Sequence, residues 1–145
     1  MLNILQDTKY YNLLFSDRPV KITNPVTIIK SGACVMLDAN GEVVLTDANA
    51  SQDKLVYWTI TSANDPDKFR SDFYVTGKVT LIQGVFLAET DMYDVNASYG
   101  IGMPLTTKNG IWVPAVAGEF VNGRAMRPPI GGKIHILAVR RPDIK

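Results

Sequence analysis

Residues 33–46 read ACVMLDANGEVVLT, and this stretch decides the fold class. Two largely apolar runs, Cys34–Leu37 and Glu42–Leu45, flank a polar turn at Asp38–Gly41. The Asn40-Gly41 pair supplies the positive φ that a tight hairpin turn needs. The sequence therefore predicts a β-hairpin here, with one strand on each side of the turn.

The rest of the chain repeats this pattern of short runs rich in Val, Ile, Thr, Tyr and Phe, divided by Gly and Pro. Residues 55–61 place apolar side chains on both faces of a strand, which suits a barrel or an interface. In the long run Lys78–Glu89, Gly84 near the middle permits a bulge or a sharp bend. Closely spaced runs with turn residues between them follow, at 102–106, 111–116, 120–126 and 133–139. The pattern predicts an all-β fold, either a small β-barrel or a sandwich.

The length of 145 residues fits one domain with a core of its own. We expect residues 1–30 to form an extended N-terminal arm with the first strands, and residues 31–145 to form a single β-barrel domain. Within the arm, Asn24-Pro25 separates two apolar runs. Because proline cannot donate to a strand ladder, these runs are expected as separate edge or strand-start pieces.

The composition gives the chain no strong electrostatic preference. Its 15 basic and 14 acidic residues leave a formal net charge of +1, too small to draw it onto nucleic acid or an anionic membrane. Residues 1–15 include Asp7 and Lys9 among scattered apolar positions, which predicts neither a secretion signal nor a membrane span. We expect a chain that stays in the cytoplasm of the cell that makes it, with no nucleic-acid or membrane partner.

Residues that could carry chemistry are few. His135 is the only histidine, and Cys34, the only cysteine, lies in an apolar run typical of a small buried hydrophobe. The acidic stretch 38–42 matches only a fragment of a calcium-binding loop. The acidic stretch 89–94 is interpreted as a hydrated strand end. The glycine pairs lack the remaining residues of a phosphate-binding loop. We therefore expect no catalytic, cofactor-binding or metal-binding residues and no enzyme activity.

Basic residues gather near the end of the chain. Residues 120–145 contain a single aromatic, Phe120, whereas binding of single strands by a small barrel needs aromatic side chains beside a basic groove. The pattern favours instead a basic rim that meets an acidic protein surface. The residues of this rim are Arg124, Arg127, Lys133, Arg140 and Arg141.

Several short motifs share an order along the chain. A strand with a glycine bend at Gly77–Phe86 is followed by Glu89–Tyr93, by Tyr99–Thr106 with its Gly-x-Pro-Leu-Thr motif, and by Gly123-Arg124-Ala125. This series resembles tailed-bacteriophage virion proteins of the capsid decoration, or cement, type. Residues 26–33 and the Asn40-Gly41 hairpin are similar to the N-terminal arm and first hairpin of such proteins. The resemblance covers most of the chain and supplies no catalytic residues.

The resemblance implies a small barrel that binds the outer surface of the major capsid protein shell at junctions between subunits. It also implies that the protein is a dimer or trimer on the virion. The N-terminal arm would then reach across neighbouring subunits. Attachment of many copies to the assembled shell would stabilise it by mass action.

The expected contact segments are Met1–Lys30 and the loop Asn64–Asp72, because they hold apolar or aromatic residues outside regular sheet periodicity. The cluster in the first segment could also fold onto its own domain. Two other functions stay open: a tail or connector component of the same kind of particle, and a small barrel that binds a ligand through Trp58 and Trp112. The candidate contact residues are Tyr10, Tyr11, Leu13, Leu14, Phe15, Phe69 and Arg70.

Overall fold

The structure is a computed structural model that describes residues 1–7, 13–48, 56–61, 63 and 77–144, with the backbone alone at 6–7, 13–17 and 140–144. These residues form eleven β-strands and no helix. The strands make two antiparallel sheets, and neither sheet closes into a barrel. The prediction of an all-β fold is confirmed, and of its two forms the sandwich is the one observed.

The five-stranded sheet is built from strands between residues 13 and 83. Its strands are β2 (Leu13–Pro19), β3 (Cys34–Leu37), β4 (Val43–Leu45), β5 (Tyr57–Thr59) and β6 (Lys78–Gln83). They lie in the order β2-β6-β5-β3-β4.

The six-stranded sheet joins the first strand to the second half of the chain. Its strands are β1 (Leu2–Asp7), β7 (Phe86–Thr90), β8 (Pro104–Lys108), β9 (Ile111–Pro114), β10 (Phe120–Ile130) and β11 (Lys133–Ile144). They lie in the order β1-β7-β11-β10-β8-β9.

The predicted hairpin is the pair β3–β4, in which Leu37 lies opposite Val43. The turn is closed by hydrogen bonds from the Asp38 amide to the Glu42 carbonyl (2.9 Å) and from the Gly41 amide to the Asp38 carbonyl (3.0 Å). Gly41 adopts the positive φ of 75° that the sequence predicted. The Asp38 carboxylate accepts the Asn40 and Glu42 amides, each at 2.9 Å. The hairpin prediction is confirmed.

A second Asn-Gly pair joins the two sheets. Asn109 and Gly110 both have positive φ, 51° and 81°, and form the two-residue turn between β8 and β9. The Gly110 amide donates to Thr46 Oγ1 (2.8 Å) and its carbonyl accepts from the Cys34 amide (2.9 Å). The tip of the β8–β9 hairpin in the six-stranded sheet is thereby hydrogen-bonded to the base of the β3–β4 hairpin in the five-stranded sheet.

Gly84 marks the place where the chain changes sheet. The run that begins at Lys78 belongs to the five-stranded sheet until Gln83, and it continues from Phe86 in the six-stranded sheet. Gly84 between them has φ of 140°, which a residue with a Cβ rarely adopts. The bend that the sequence predicted at this glycine is therefore present.

The described part of the expected N-terminal arm packs within the two sheets. Strand β1 pairs with β7, and β2 pairs with β6. The apolar runs on either side of Asn24-Pro25 are reduced to single bridges, one from Val20 to Val43 and one from Ile29 to Ala63. Both bridging side chains are buried, so this segment covers part of the five-stranded sheet.

The main core lies between the sheets and is centred on two tryptophans. Trp58 of β5 stacks on Trp112 of β9 with ring centroids 5.1 Å apart and planes 6° apart. Phe86 of β7 meets Trp58 edge-on at 5.5 Å. A smaller core, which includes Val35, Val43 and Leu81, fills the space between the five-stranded sheet and the residue 20–33 segment.

Gly123 provides room for this stack, which yields a first prediction. A Cβ added at Gly123 would lie 2.8 Å from the Leu137 carbonyl oxygen and 2.9 Å from the Trp112 ring. We expect Gly123→Ala to lower the free energy of unfolding in urea by about 1–3 kcal/mol, because the core must shift to admit the methyl group. Gly100→Ala is the matched control, since a Cβ there meets no heavy atom within 4 Å. Equal stability of the two variants would contradict the packing described here.

Cys34 yields a second prediction. The thiol is fully buried in the main core, and burial raises its pKa far above the ordinary range. Since the thiolate is the reactive form, we expect no reaction with a disulfide reagent such as dithionitrobenzoate in the folded protein. One thiol per chain should react in denaturing urea. Rapid labelling without denaturant would show that this part of the core opens.

Candidate docking surfaces

The first candidate surface is an apolar groove at one end of the five-stranded sheet. It has a volume of about 300 Å³. The chain that leaves β2 forms one wall, and the start of β6 with the β3–β4 turn forms the other. The lining residues are Pro19, Val20, Lys21, Ile22, Val26, Glu42, Gly77 and Lys78.

The apolar side chains of the groove are held on a fixed frame. The Thr23 hydroxyl donates to the Pro25 carbonyl (2.8 Å) and accepts the Thr27 amide (3.0 Å), which closes the residue 23–27 loop on itself. On this loop and beside it, Val26 is 61% exposed and Ile22 is 90% exposed. Apolar side chains displayed on an ordered loop are typical of a contact surface.

The rim of the groove is polar. The Lys21 amide donates to the Val43 carbonyl (3.0 Å), and the Lys21 ammonium lies 3.7 Å from the Asp38 carboxylate. The Asp38 carboxyl has a pKa below its ordinary value, first because the Glu42 amide donates to it and also because Lys21 is near. The rim thus carries fixed charges around an apolar floor, as protein–protein interfaces do.

The contact residues predicted from the sequence fall into two groups. Tyr10, Tyr11, Phe69 and Arg70, with the loop Asn64–Asp72 around the last two, lie outside the described residues. Leu13, Leu14 and Phe15 lie in β2, opposite Gln83, Ile82 and Leu81, and the structure describes their backbone only. The exposed apolar residues that the structure does describe in the predicted segment 1–30 lie at both its ends, and they are Leu5, Ile22, Val26 and Ile28.

The second candidate surface is the outer face of the six-stranded sheet. Ala88, Ile136 and Ala125 point into the core, so the next residues along these strands face outward. The strand register aligns four outward residues in one row across β1, β7, β11 and β10. The row runs from Asn3 to Glu89, His135 and Arg127.

A single carboxylate organises the charges of this face. Glu89 Oε2 lies 3.1 Å from His135 Nε2 and 3.6 Å from Arg127 Nη2, and Oε1 lies 3.7 Å from Lys133 Nζ. The hydrogen bond from His135 is the main cause that holds the pKa of Glu89 below its ordinary value, and the charge of Lys133 adds to it. One anion thus fixes three basic side chains in place.

The sequence shows each of these residues, but it does not show that they lie close together in the fold. Alternation along the strands places Glu89 and His135 on outward faces, whereas their contact depends on a register between strands 46 residues apart in sequence. The rim of basic residues expected near the C-terminus is present at Arg124, Arg127 and Lys133. The side chains of Arg140 and Arg141 lie outside the described part of the structure.

The described residues include neither clustered metal ligands nor an exposed tryptophan. Among the described residues, no three His, Cys, Asp or Glu side chains come together as a metal site would require. Trp58 and Trp112 are each 1% exposed, so their rings serve the core and offer no platform to a ligand. In the same part of the chain, no helix has the length and apolarity needed to cross a membrane.

Comparison of the chain with protein-family models, with curated proteins and with solved structures finds no match. The two surfaces are therefore interpreted from their own residues.

The Glu89 cluster predicts a dependence of stability on pH. Because the folded state lowers the pKa of Glu89, the ionised carboxylate stabilises the fold at pH values above the ordinary glutamate pKa of about 4.3. This contribution is lost as the pH falls through the lower pKa of the folded state. We expect Glu89→Gln to be less stable than the wild type at neutral pH, and we expect this difference to shrink as the pH falls toward about 3. Urea unfolding of both proteins across this range measures the difference.

A difference between the two proteins that stays constant from neutral pH to about pH 3 would contradict the role of the Glu89 charge. A second variant, Asp94→Asn, serves as a control, because it also removes one carboxylate charge but lies outside the cluster.

Proposed function

We propose that this protein is a virion structural subunit that binds the outer surface of a major capsid protein shell and stabilises the assembled shell. The series of motifs from Gly77 to Ala125 that resembles capsid decoration proteins supports this function. So does the sandwich fold, in which the aromatic core and the fixed loops leave side-chain surfaces free for contact with other proteins.

The observation that carries the proposal is the groove with Ile22 and Val26. These side chains are 90% and 61% exposed on a loop closed by hydrogen bonds. Covering them would remove apolar area from water and stabilise a complex by about 1.5–3 kcal/mol for each side chain that becomes fully buried. A surface of this kind favours a protein partner with apolar side chains that enter the groove.

The charged side chains of the rim would orient a partner in this contact. Lys21, Lys78 and Glu42 carry charges at the mouth of the groove, and the Asp38 carboxylate lies 3.7 Å from the Lys21 ammonium. A partner that places a carboxylate beside Lys78 would meet complementary charge while its apolar group enters the groove.

A modest contact energy per copy suffices for the proposed role. A subunit that binds the assembled shell and not its separate parts shifts the equilibrium toward the shell, and binding at many equivalent sites adds up over the particle. Two contact surfaces on one chain would let a single copy bridge neighbouring shell subunits. The proposed dimer or trimer would extend this bridging further.

The groove yields a direct test of attachment. We expect Ile22→Asp to weaken binding to shells of the major capsid protein by at least about tenfold, since a charge would replace an apolar contact. Purified chain is mixed with shells that lack it, and the fraction that sediments with the shells is measured against protein concentration. Val95→Asp is the control, because Val95 is also highly exposed, at 71%, and does not line the groove.

If the wild-type protein fails to sediment with shells but binds isolated tails or connectors, its binding partner is that part of the particle and not the shell. If Ile22→Asp and Val95→Asp bind shells equally well, the groove does not form the contact. Cryo-electron microscopy of the decorated shells gives the position directly, as density for a 16.0 kDa chain on the outer surface.

A further inference from the structure

We propose that the outer face of the six-stranded sheet is a second docking surface, and that its partner is an acidic protein surface. The inference rests on the proposed function and deepens it, because it assigns the chemistry of a contact that the groove does not make. It is carried by the row from Glu89 to Arg127 and by the residues that flank this row on β10 and β11.

The charges of this face are unbalanced. Arg124, Arg127 and Lys133 bring three permanent positive charges to adjacent strands, and among the described residues Glu89 is the acidic residue that pairs with Arg127 and Lys133. Three cations and one carboxylate leave these four residues with a net charge of +2, whereas the whole chain has a formal net charge of +1. A sheet face with such an excess is complementary to a surface rich in carboxylates.

The positive groups are already oriented. Glu89 contacts Arg127, Lys133 and His135, and the Gly102 carbonyl accepts a hydrogen bond from Arg124 Nη1 at 2.9 Å. Side chains that are held before binding lose less conformational freedom on binding. The face therefore presents its cations in positions that are held before a partner binds.

Apolar side chains lie between the charges. Leu87 and Leu137 are opposite each other on β7 and β11, and Arg124 is opposite Leu137 on β10. Met126, in the bulge of β10, is 42% exposed, and Ile130 at the end of that strand is 62% exposed. Basic groups around apolar side chains match a folded protein surface that offers both carboxylates and apolar contacts.

The same features disfavour a nucleic acid as the partner. Single strands bind through bases that stack on aromatic side chains, and the aligned outward row from Asn3 to Arg127 contains none. A carboxylate-rich protein can instead place its acidic groups against the cations at the edges of the cluster.

The test compares two lysine reversals that change the net charge equally. Lys133→Glu alters this face, and Lys30→Glu alters an exposed lysine on the residue 20–33 segment, which packs on the five-stranded sheet. The probe is fluorescently labelled poly-L-glutamate, with an oligothymidylate of similar charge beside it, and binding is followed by fluorescence anisotropy. We expect Lys133→Glu to weaken binding of poly-L-glutamate by about tenfold. Lys30→Glu should change it by less than about twofold.

Binding of poly-L-glutamate should also weaken as salt rises from about 0.1 M to 1 M, because the screening length falls from about 10 Å to 3 Å. Equal effects of the two reversals would overturn the inference, as would tighter binding of the oligothymidylate than of poly-L-glutamate. The sedimentation assay with shells separates this failure from failure of the proposed function. If the wild type binds shells and Lys133→Glu binds as well as Lys30→Glu, the shell function stands and the second surface is wrong.

Discussion

The stack of Trp58 on Trp112 is the contact on which the two sheets depend. Each ring comes from a different sheet, and the nearly parallel rings have their centroids 5.1 Å apart. Such aromatic pairs contribute about 0.5–1.5 kcal/mol beyond the area that they bury. Two glycines accommodate this packing: Gly123 leaves space beside the Trp112 ring, and Gly110 places the tip of the β8–β9 hairpin against Cys34.

One edge of each sheet is partly protected from further strand pairing. At β4, the Lys21 amide donates to the Val43 carbonyl, and at β9 the Trp112 amide donates to the Met92 carbonyl while its carbonyl accepts from Asp94. Exposed edges invite pairing between molecules, and short bridging segments reduce this tendency. At these two edges, pairing with another chain is therefore limited. The groove beside Ile22 and the charged face around Glu89 are two side-chain surfaces with opposite character, one apolar and one basic. A subunit that bridges two neighbours of different chemistry can use both.

Much of the local structure could be predicted from the sequence. The Asn40-Gly41 hairpin, the bend at Gly84 and the burial of Cys34 all follow from the preferences of a few neighbouring residues. The short runs rich in Val, Ile, Thr, Tyr and Phe, divided by Gly and Pro, likewise predicted strands and an all-β fold, because strand and turn preferences are local properties. The candidate surfaces were predicted only in outline, as a contact segment within residues 1–30 and a basic rim near the C-terminus.

What the sequence by itself determined is therefore the class of fold, the turns and the residues that stay out of water. Only the tertiary structure decided that the sheets form an open sandwich, that Val20 and Ile29 fasten the predicted arm to the five-stranded sheet, and that Glu89 meets His135, Arg127 and Lys133. The physical reason is the range of the interactions. Turn and strand preferences act between neighbours, whereas strand register and packing join residues far apart in the chain, and a shift of one residue would move every outward side chain to the inner face.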